Sequence, residues 1–157
     1  MSIPLGEKAR AKDGGQPQPQ PQPRAATAGN GAARVVPGNR LLLVEDEALT
    51  GMMMSDMLTE LGFDVIGPFG RVADAMAAVG REEFQAAVLD VNLDGEMVYP
   101  VAEAVLALGV PFVFVTGYSA EGIDRRFAQI PVLQKPIERQ MLRSVFVDRG
   151  RREEAVG

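Results

Sequence analysis

The sequence predicts an α/β fold: a doubly wound parallel sheet of five strands with helices on both faces. Two observations carry this. From Arg40 onward, short continuous apolar runs alternate with longer segments of helical periodicity, the pattern of buried parallel strands joined by crossover helices. Polar groups follow four of those runs, Glu45-Asp46, Asp90, Thr116 and Lys135-Pro136, and in a parallel sheet all four would gather at one edge.

Leu41 to Val44 reads as the first strand, Val65-Ile66 with its flanks as the second, Ala86 to Leu89 as the third, Phe112 to Val115 as the fourth and Val132-Leu133 as the fifth. Between the first two strands, Leu49, Met53, Met57 and Leu61 recur every four residues. They predict a helix that packs this stripe on the sheet and ends at Gly62, with the Met52-Met53-Met54 run as adaptable core filling. Val72, Ala75, Met76 and Val79 predict a second helix. Met97, Val101, Val105 and Leu108 predict a third, ending at Gly109, with Pro100 in its first turn, where no intrahelical N–H is required. Ile137, Met141, Leu142 and Val145 mark a last helix beginning just after Lys135-Pro136.

The 157 residues and their modest acidic excess describe one globular domain with an attached tail. Residues 1–39 stand apart, being rich in Gly, Ala and Gln, with a Gln-Pro alternation from Gln16 to Pro23 that cannot bury a core. There Lys8, Arg10, Lys12, Arg24 and Arg34 face only Glu7 and Asp13, a net +3, so the rest of a chain of net charge −5 carries −8. The segment is expected to be a solvated, disordered leader with no activity of its own, followed by a folded domain over 40–148 and a charged tail over 149–157. Cysteine and histidine are absent, which excludes disulfides, thiolate chemistry, His-based zinc sites and Ser-His-Asp triads. No stretch has the length and apolarity of a signal peptide or membrane span, so a cytoplasmic protein is expected.

The chemistry follows from the strand ends. Glu45, Asp46 and Asp90 would meet there, and three close carboxylates raise each other's pKa unless a divalent cation supplies compensating charge. An all-oxygen donor set favours Mg²⁺, held by Asp90, one of the other two acids and a backbone carbonyl near Asn92, with the remaining acid holding a water. Asp90 would then attack phosphorus in line and form an acyl phosphate. Thr116 would donate its hydroxyl to one phosphoryl oxygen and Lys135 would bring positive charge to another, while Gly117 leaves the approach open. Taken singly, Asp46 and Glu47 would be helix-capping acids, Thr116-Gly117 a turn and Lys135-Pro136 a surface connection. Taken together, at the ends of four different strands, they point to an aspartyl phosphorylation site.

These residues resemble the receiver domain of two-component response regulators. The resemblance covers about Arg40 to Asp148 and rests on Val44-Glu45-Asp46-Glu47, Leu89-Asp90-Val91-Asn92, Val115-Thr116-Gly117 and Lys135-Pro136. It implies a flavodoxin-like sheet in the order 2-1-3-4-5, Mg²⁺-dependent phosphorylation of Asp90 by a histidine kinase or phosphotransfer protein, and a cis Lys135-Pro136 bond. Two departures stand out. Many receivers carry an aromatic residue three positions before the Lys, which moves inward as the Thr engages the phosphoryl group. Val132 holds that place here, which leaves Tyr118 as a candidate for part of the switch role. Only 18 residues separate Thr116 from Lys135, so the fourth helix must be short or irregular. Both departures fit a narrower resemblance. Pro111 to Tyr118 and Asp90 to Glu96 look like the Phe-Ala-Thr-Gly-Tyr subgroup of alphaproteobacterial receivers, which implies a stand-alone receiver served by HWE-type kinases.

Few residues follow the last helix, so output is expected through another protein. The chain would be a shuttle, sink or adaptor, monomeric or dimerising on phosphorylation. Its acidic folded part argues against nucleic-acid binding. Two rival classes remain: a Mg²⁺-dependent phosphohydrolase with an aspartate nucleophile, for which Asn92 is a poor general acid, and a phosphorylation-independent pseudo-receiver, which would lack a residue that is present here.

Overall fold

The computed structural model describes residues 38–117 and 122–148. Expectations for residues 1–37, Tyr118 and the tail beyond Asp148 lie outside the described residues. Five parallel strands, β1 (Arg40–Val44), β2 (Asp64–Phe69), β3 (Ala86–Asp90), β6 (Phe112–Thr116) and β7 (Val132–Gln134), form one sheet in the order β2-β1-β3-β6-β7. In strand rank this is the expected flavodoxin-like 2-1-3-4-5 order. The added numbers belong to a small antiparallel hairpin, β4 (Asn92–Leu93) and β5 (Glu96–Met97), which the sequence reading did not foresee.

Strand alternation divides the core into two layers. Leu42, Val44, Ala87, Leu89, Phe112 and Phe114 face α2 (Val72–Arg81) and α3 (Tyr99–Ala107). Leu41, Leu43, Ala86, Val88, Val113 and Val115 face α1 (Ala48–Glu60) and α4 (Arg139–Arg143), which runs on as a π-helical turn over Ser144–Asp148. Because β1, β3 and β6 are covered on both faces, their side chains are apolar throughout except at the end residues Arg40, Asp90 and Thr116, which is why these runs were legible. Among the described residues, a 3₁₀ turn at Arg125–Phe127 and the single 3₁₀ residue Gly122 stand between β6 and β7, in agreement with a short or irregular fourth helix.

The face of α1 differs from the expected stripe. Gly51, Met54 and Leu58 are buried, Met57 and Leu61 half-buried, and Leu49, Met52 and Met53 are exposed at 66%, 63% and 55%. A strict four-residue repeat drifts by about 40° per step around an α-helix, so a stripe that meets the core at Met57 and Leu61 has left it at Leu49. Gly51 sets the rotation, since a Cβ there would lie 3.0 Å from Pro68 Cγ. On α2, Ala78 is buried and Met76 exposed. On α3, Val101, Ala102 and Val105 are buried and Pro100 lies in the first turn as expected, whereas Met97 belongs to β5 and Leu108 is exposed beyond the helix. In the last helix Leu142 and Phe146 are the buried anchors. Gly67 has φ +110°, and a Cβ there would fall 2.4 Å from Leu43 O, beside the shift in the β1–β2 register between Leu42 and Val44. Only glycine allows the strand to bend there.

Candidate functional site

Strands β1 and β3 are neighbours, but the helix after β1 returns on one face of the sheet and the helix after β3 on the other. Such a switch point opens a crevice at the carboxyl ends of the strands. Val44 is the last residue of β1 and places Glu45 and Asp46 on that edge, Asp90 is the last residue of β3, and Thr116 is the last of β6. Lys135 follows β7, and its backbone N–H donates to Thr116 O at 2.8 Å, tying the lysine to the end of the neighbouring strand. The Lys135-Pro136 bond is cis, as the resemblance implied.

Glu45, Asp90 and Thr116 are buried polar residues, at 3%, 5% and 6% exposure, in an otherwise apolar interior. Lys135 Nζ lies 2.9 Å from both Glu45 Oε2 and Asp90 Oδ2. Glu45 Oε1 accepts the Glu47 N–H at 2.9 Å, and Asp90 Oδ1 accepts the Asn92 N–H over a longer 3.3 Å. Asp46 is exposed, yet Glu45, Asp46 and Asp90 each bring a carboxylate oxygen within 4.8 Å of the others. Asp46 also lines an open cleft of roughly 590 Å³ with Gly70, Arg71, Leu93, Asp94 and Glu96. A Cβ on Gly70 would come 3.4 Å from Asp46 Cα, an ordinary contact, so Gly70 lies directly beside Asp46 without being required by space. Gly117 is in open space, with nothing within 4 Å of a Cβ placed on it.

The electrostatics are those of a site short of positive charge. Burial pushes the Glu45 carboxyl up to about 7, with help from the charge of Asp90 and against the Glu47 amide and Lys135. Burial would lower Lys135, but its contacts to Glu45 and Asp90 outweigh that and hold it above its ordinary value. Glu45 Oε2 is buried and, although close to the ammonium, receives no in-line hydrogen bond. One ammonium therefore faces three carboxylates, and a buried oxygen is left with spare acceptor capacity. A hard divalent cation fits this all-oxygen donor set.

All the strand-end residues expected from the sequence thus come together. Asn92 keeps its side chain on the surface, where Oδ1 accepts the Gly95 N–H at 2.7 Å. Val132 opens β7, opposite Phe114, and is half-buried. Sequence reasoning missed Tyr99 and Phe127, whose rings stack with centroids 5.5 Å apart and an interplanar angle of 19°. Phe127 was an available signal, an aromatic residue beside the charged Asp124-Arg125-Arg126 after the fourth run.

Compared with known proteins, the chain matches no family model and no curated protein. Among solved structures it is similar to SdrG from Sphingomonas melonis Fr1, with 44% identity, 68% of this chain and 92% of that chain covered, and a TM-score of 0.62. It is similar to the receiver domain of a sensor histidine kinase from Pseudomonas aeruginosa PAO1, solved with a magnesium ion coordinated in the active-site cleft, at 26% identity, coverage of 69% and 94%, and a TM-score of 0.60. At 24% identity, the receiver domain of the response regulator PhyR from Erythrobacter litoralis shares the fold, with coverage of 73% and 90% and a TM-score of 0.60.

Proposed function

The chain belongs to the receiver domains of response regulators, and from that premise we propose that it accepts a phosphoryl group on Asp90 and signals through protein contacts. Asp90 carries the proposal. It is buried at the carboxyl end of the central strand, with Lys135 Nζ 2.9 Å from one oxygen and two further acids close by. An acid with no task in phosphoryl chemistry would gain nothing from this position, because burial of like charges is costly.

Glu45, Asp46 and Asp90 would hold Mg²⁺, with the Asn92 carbonyl as backbone ligand. When bound, the ion supplies the positive charge that lets an anionic carboxylate meet an anionic phosphate. Asp90 attacks in line: a bond forms between its carboxylate oxygen and phosphorus, the bond from phosphorus to the donor nitrogen or oxygen breaks, and the donor leaves with that electron pair. Lys135 stabilises charge on the transferring group, and the Thr116 hydroxyl donates to a phosphoryl oxygen of the product. The donor is a histidine kinase or, in a relay, a phosphotransfer protein, and the resemblance to the Phe-Ala-Thr-Gly-Tyr subgroup points to an HWE-type kinase. The functional unit spans residues 40–148, works in the cytoplasm, binds no nucleic acid and passes its signal to another protein. No helix among the described residues is long and apolar enough to cross a membrane.

Intact mass spectrometry of the chain after incubation with Mg²⁺ and a small acyl phosphate tests the proposal. A hydroxylamine-sensitive phosphoryl adduct is expected, absent in Asp90→Asn. An adduct that persists in Asp90→Asn, or no adduct from either the acyl phosphate or a panel of active histidine kinases, would overturn it.

A further inference from the structure

We infer that Tyr99 is a positioning residue that couples the Asp90 site to residues 122–127, the part played in many receivers by an aromatic side chain where this chain has Val132. The inference rests on the phosphoacceptor reading above. Val132 is a short aliphatic side chain with no polar tip, so it cannot exchange a hydrogen bond when the site changes state. Tyr99 is connected to both strands that carry the site. On the β3 side, the Val98 N–H donates to Val91 O at 2.9 Å, fixing the first turn of α3 one residue beyond Asp90. On the β6 side, the Tyr99 ring meets Phe114 edge-to-face at 6.4 Å, two residues before Thr116. Its outer end holds the segment after β6. The hydroxyl accepts the Asp124 N–H at 3.0 Å and lies 3.5 Å from Gly122 O, while the ring stacks on Phe127.

Arg126 completes the attachment by pairing with Asp124 and with Glu103 on α3, its guanidinium 5.5 Å from the centre of the Phe127 ring. Residues 124–127 are therefore held against α3, with Phe127 also meeting Phe112 and Phe114 of β6. The two oxygens of Asp90 are both engaged, Oδ1 by the Asn92 N–H and Oδ2 by Lys135. A phosphoryl group joined to Oδ1 would compete with the Asn92 N–H, the longer and weaker of the two contacts. Weakening of the Asn92 contact would let the start of the β4–β5 hairpin shift as a unit, since the hairpin keeps its own pairing, and the chain leaving it is Val98-Tyr99. A small shift there moves the hydroxyl away from the Asp124 N–H, and hydrogen bonds weaken steeply with distance and angle. Residues 122–127 thus have a docked and a released arrangement, which the state of Asp90 biases.

Backbone amide NMR and hydrogen exchange of the full chain test this, with and without Mg²⁺ and beryllofluoride as a stable mimic of the acyl phosphate. In the unaltered chain, beryllofluoride is expected to shift the Val91 and Asn92 amides and to change exchange at Asp124 and Phe127. Tyr99→Phe keeps the ring and removes the hydroxyl. Its Asp124 amide should exchange about tenfold faster without any ligand, and beryllofluoride should still shift Val91 and Asn92 while leaving exchange at 124–127 unchanged. Phe127→Leu, which loses the stacked ring, should behave alike. A Tyr99→Phe chain that responds at 124–127 like the unaltered one overturns the inference alone, as does an unaltered chain that responds at Val91 but not at 124–127. No response at Val91 and Asn92 in the unaltered chain overturns the phosphoacceptor reading, and the coupling with it.

Discussion

At the scale of single residues, Lys135 and Glu45 hold opposite ends of the same charge balance. Lys135 neutralises Glu45 Oε2 and Asp90 Oδ2 at once, and in doing so occupies oxygens that a metal ion would use. Lys135→Ala is therefore expected to bind Mg²⁺ more tightly, measured by calorimetry, while its rate of phosphorylation by acyl phosphate falls roughly 100-fold or more, the usual cost of removing a preorganised stabiliser of transferring charge. Glu45 provides a pH dependence. Its carboxyl holds a proton up to about pH 7 in the folded protein, but an unfolded chain releases it near 4.5. Between those values the native state binds more protons, so the stability of metal-free protein falls as pH rises, by an amount on the order of 2 kcal/mol. Denaturant melts in EDTA at pH 5 and pH 8 check the sign. The identities of these residues and their places after four apolar runs were legible, because each marks where a buried run meets the strand end. Their distances were not, since no local pattern encodes how far apart two strand ends lie.

At the scale of elements, α1 shows where periodicity misleads. Met52, Met53 and Met54 are consecutive, yet of these three only Met54 enters the core, with Met57 packed half-buried at its edge. Met54→Ala should cost about 2–4 kcal/mol in chemical denaturation, whereas Met52→Lys or Met53→Lys should stay within about 0.5 kcal/mol of the parent. Equal effects at Met53 and Met54 would contradict this register. Gly67 is a second element-scale constraint, because its positive φ and the approach of Leu43 O exclude any side chain. Gly67→Ala is expected to destabilise by about 2 kcal/mol or more, through displacement of β2 from β1. Neither feature was legible beforehand. The rotation of α1 is set by contact with Pro68, a residue 17 positions after Gly51, and the strained glycine by a carbonyl on the neighbouring strand. The central strands were legible because burial on both faces makes each an unbroken apolar run. The hairpin β4–β5 is too short and exposed to leave such a trace.

At the scale of the whole molecule, metal binding and stability are one equilibrium. If Mg²⁺ binds folded protein through Glu45, Asp46 and Asp90, it must raise the melting temperature in proportion to the logarithm of its excess over Kd. The increase should be larger at pH 8 than at pH 5, where protonated Glu45 has less to offer a cation, and should shrink in Asp90→Asn; scanning fluorimetry over a Mg²⁺ titration measures both. By itself the sequence determined the alternation of strands and helices, the order of the chemistry-bearing residues and the short connection before Lys135, because these follow from local hydrophobic patterning and chain length. Tertiary structure alone decided which helix face is buried, how close Lys135 comes to Asp90, and that the segment before β7 docks on α3 through Tyr99 and Phe127. Each of those depends on pairs of residues far apart in the chain, and their separation is set by how the layers pack.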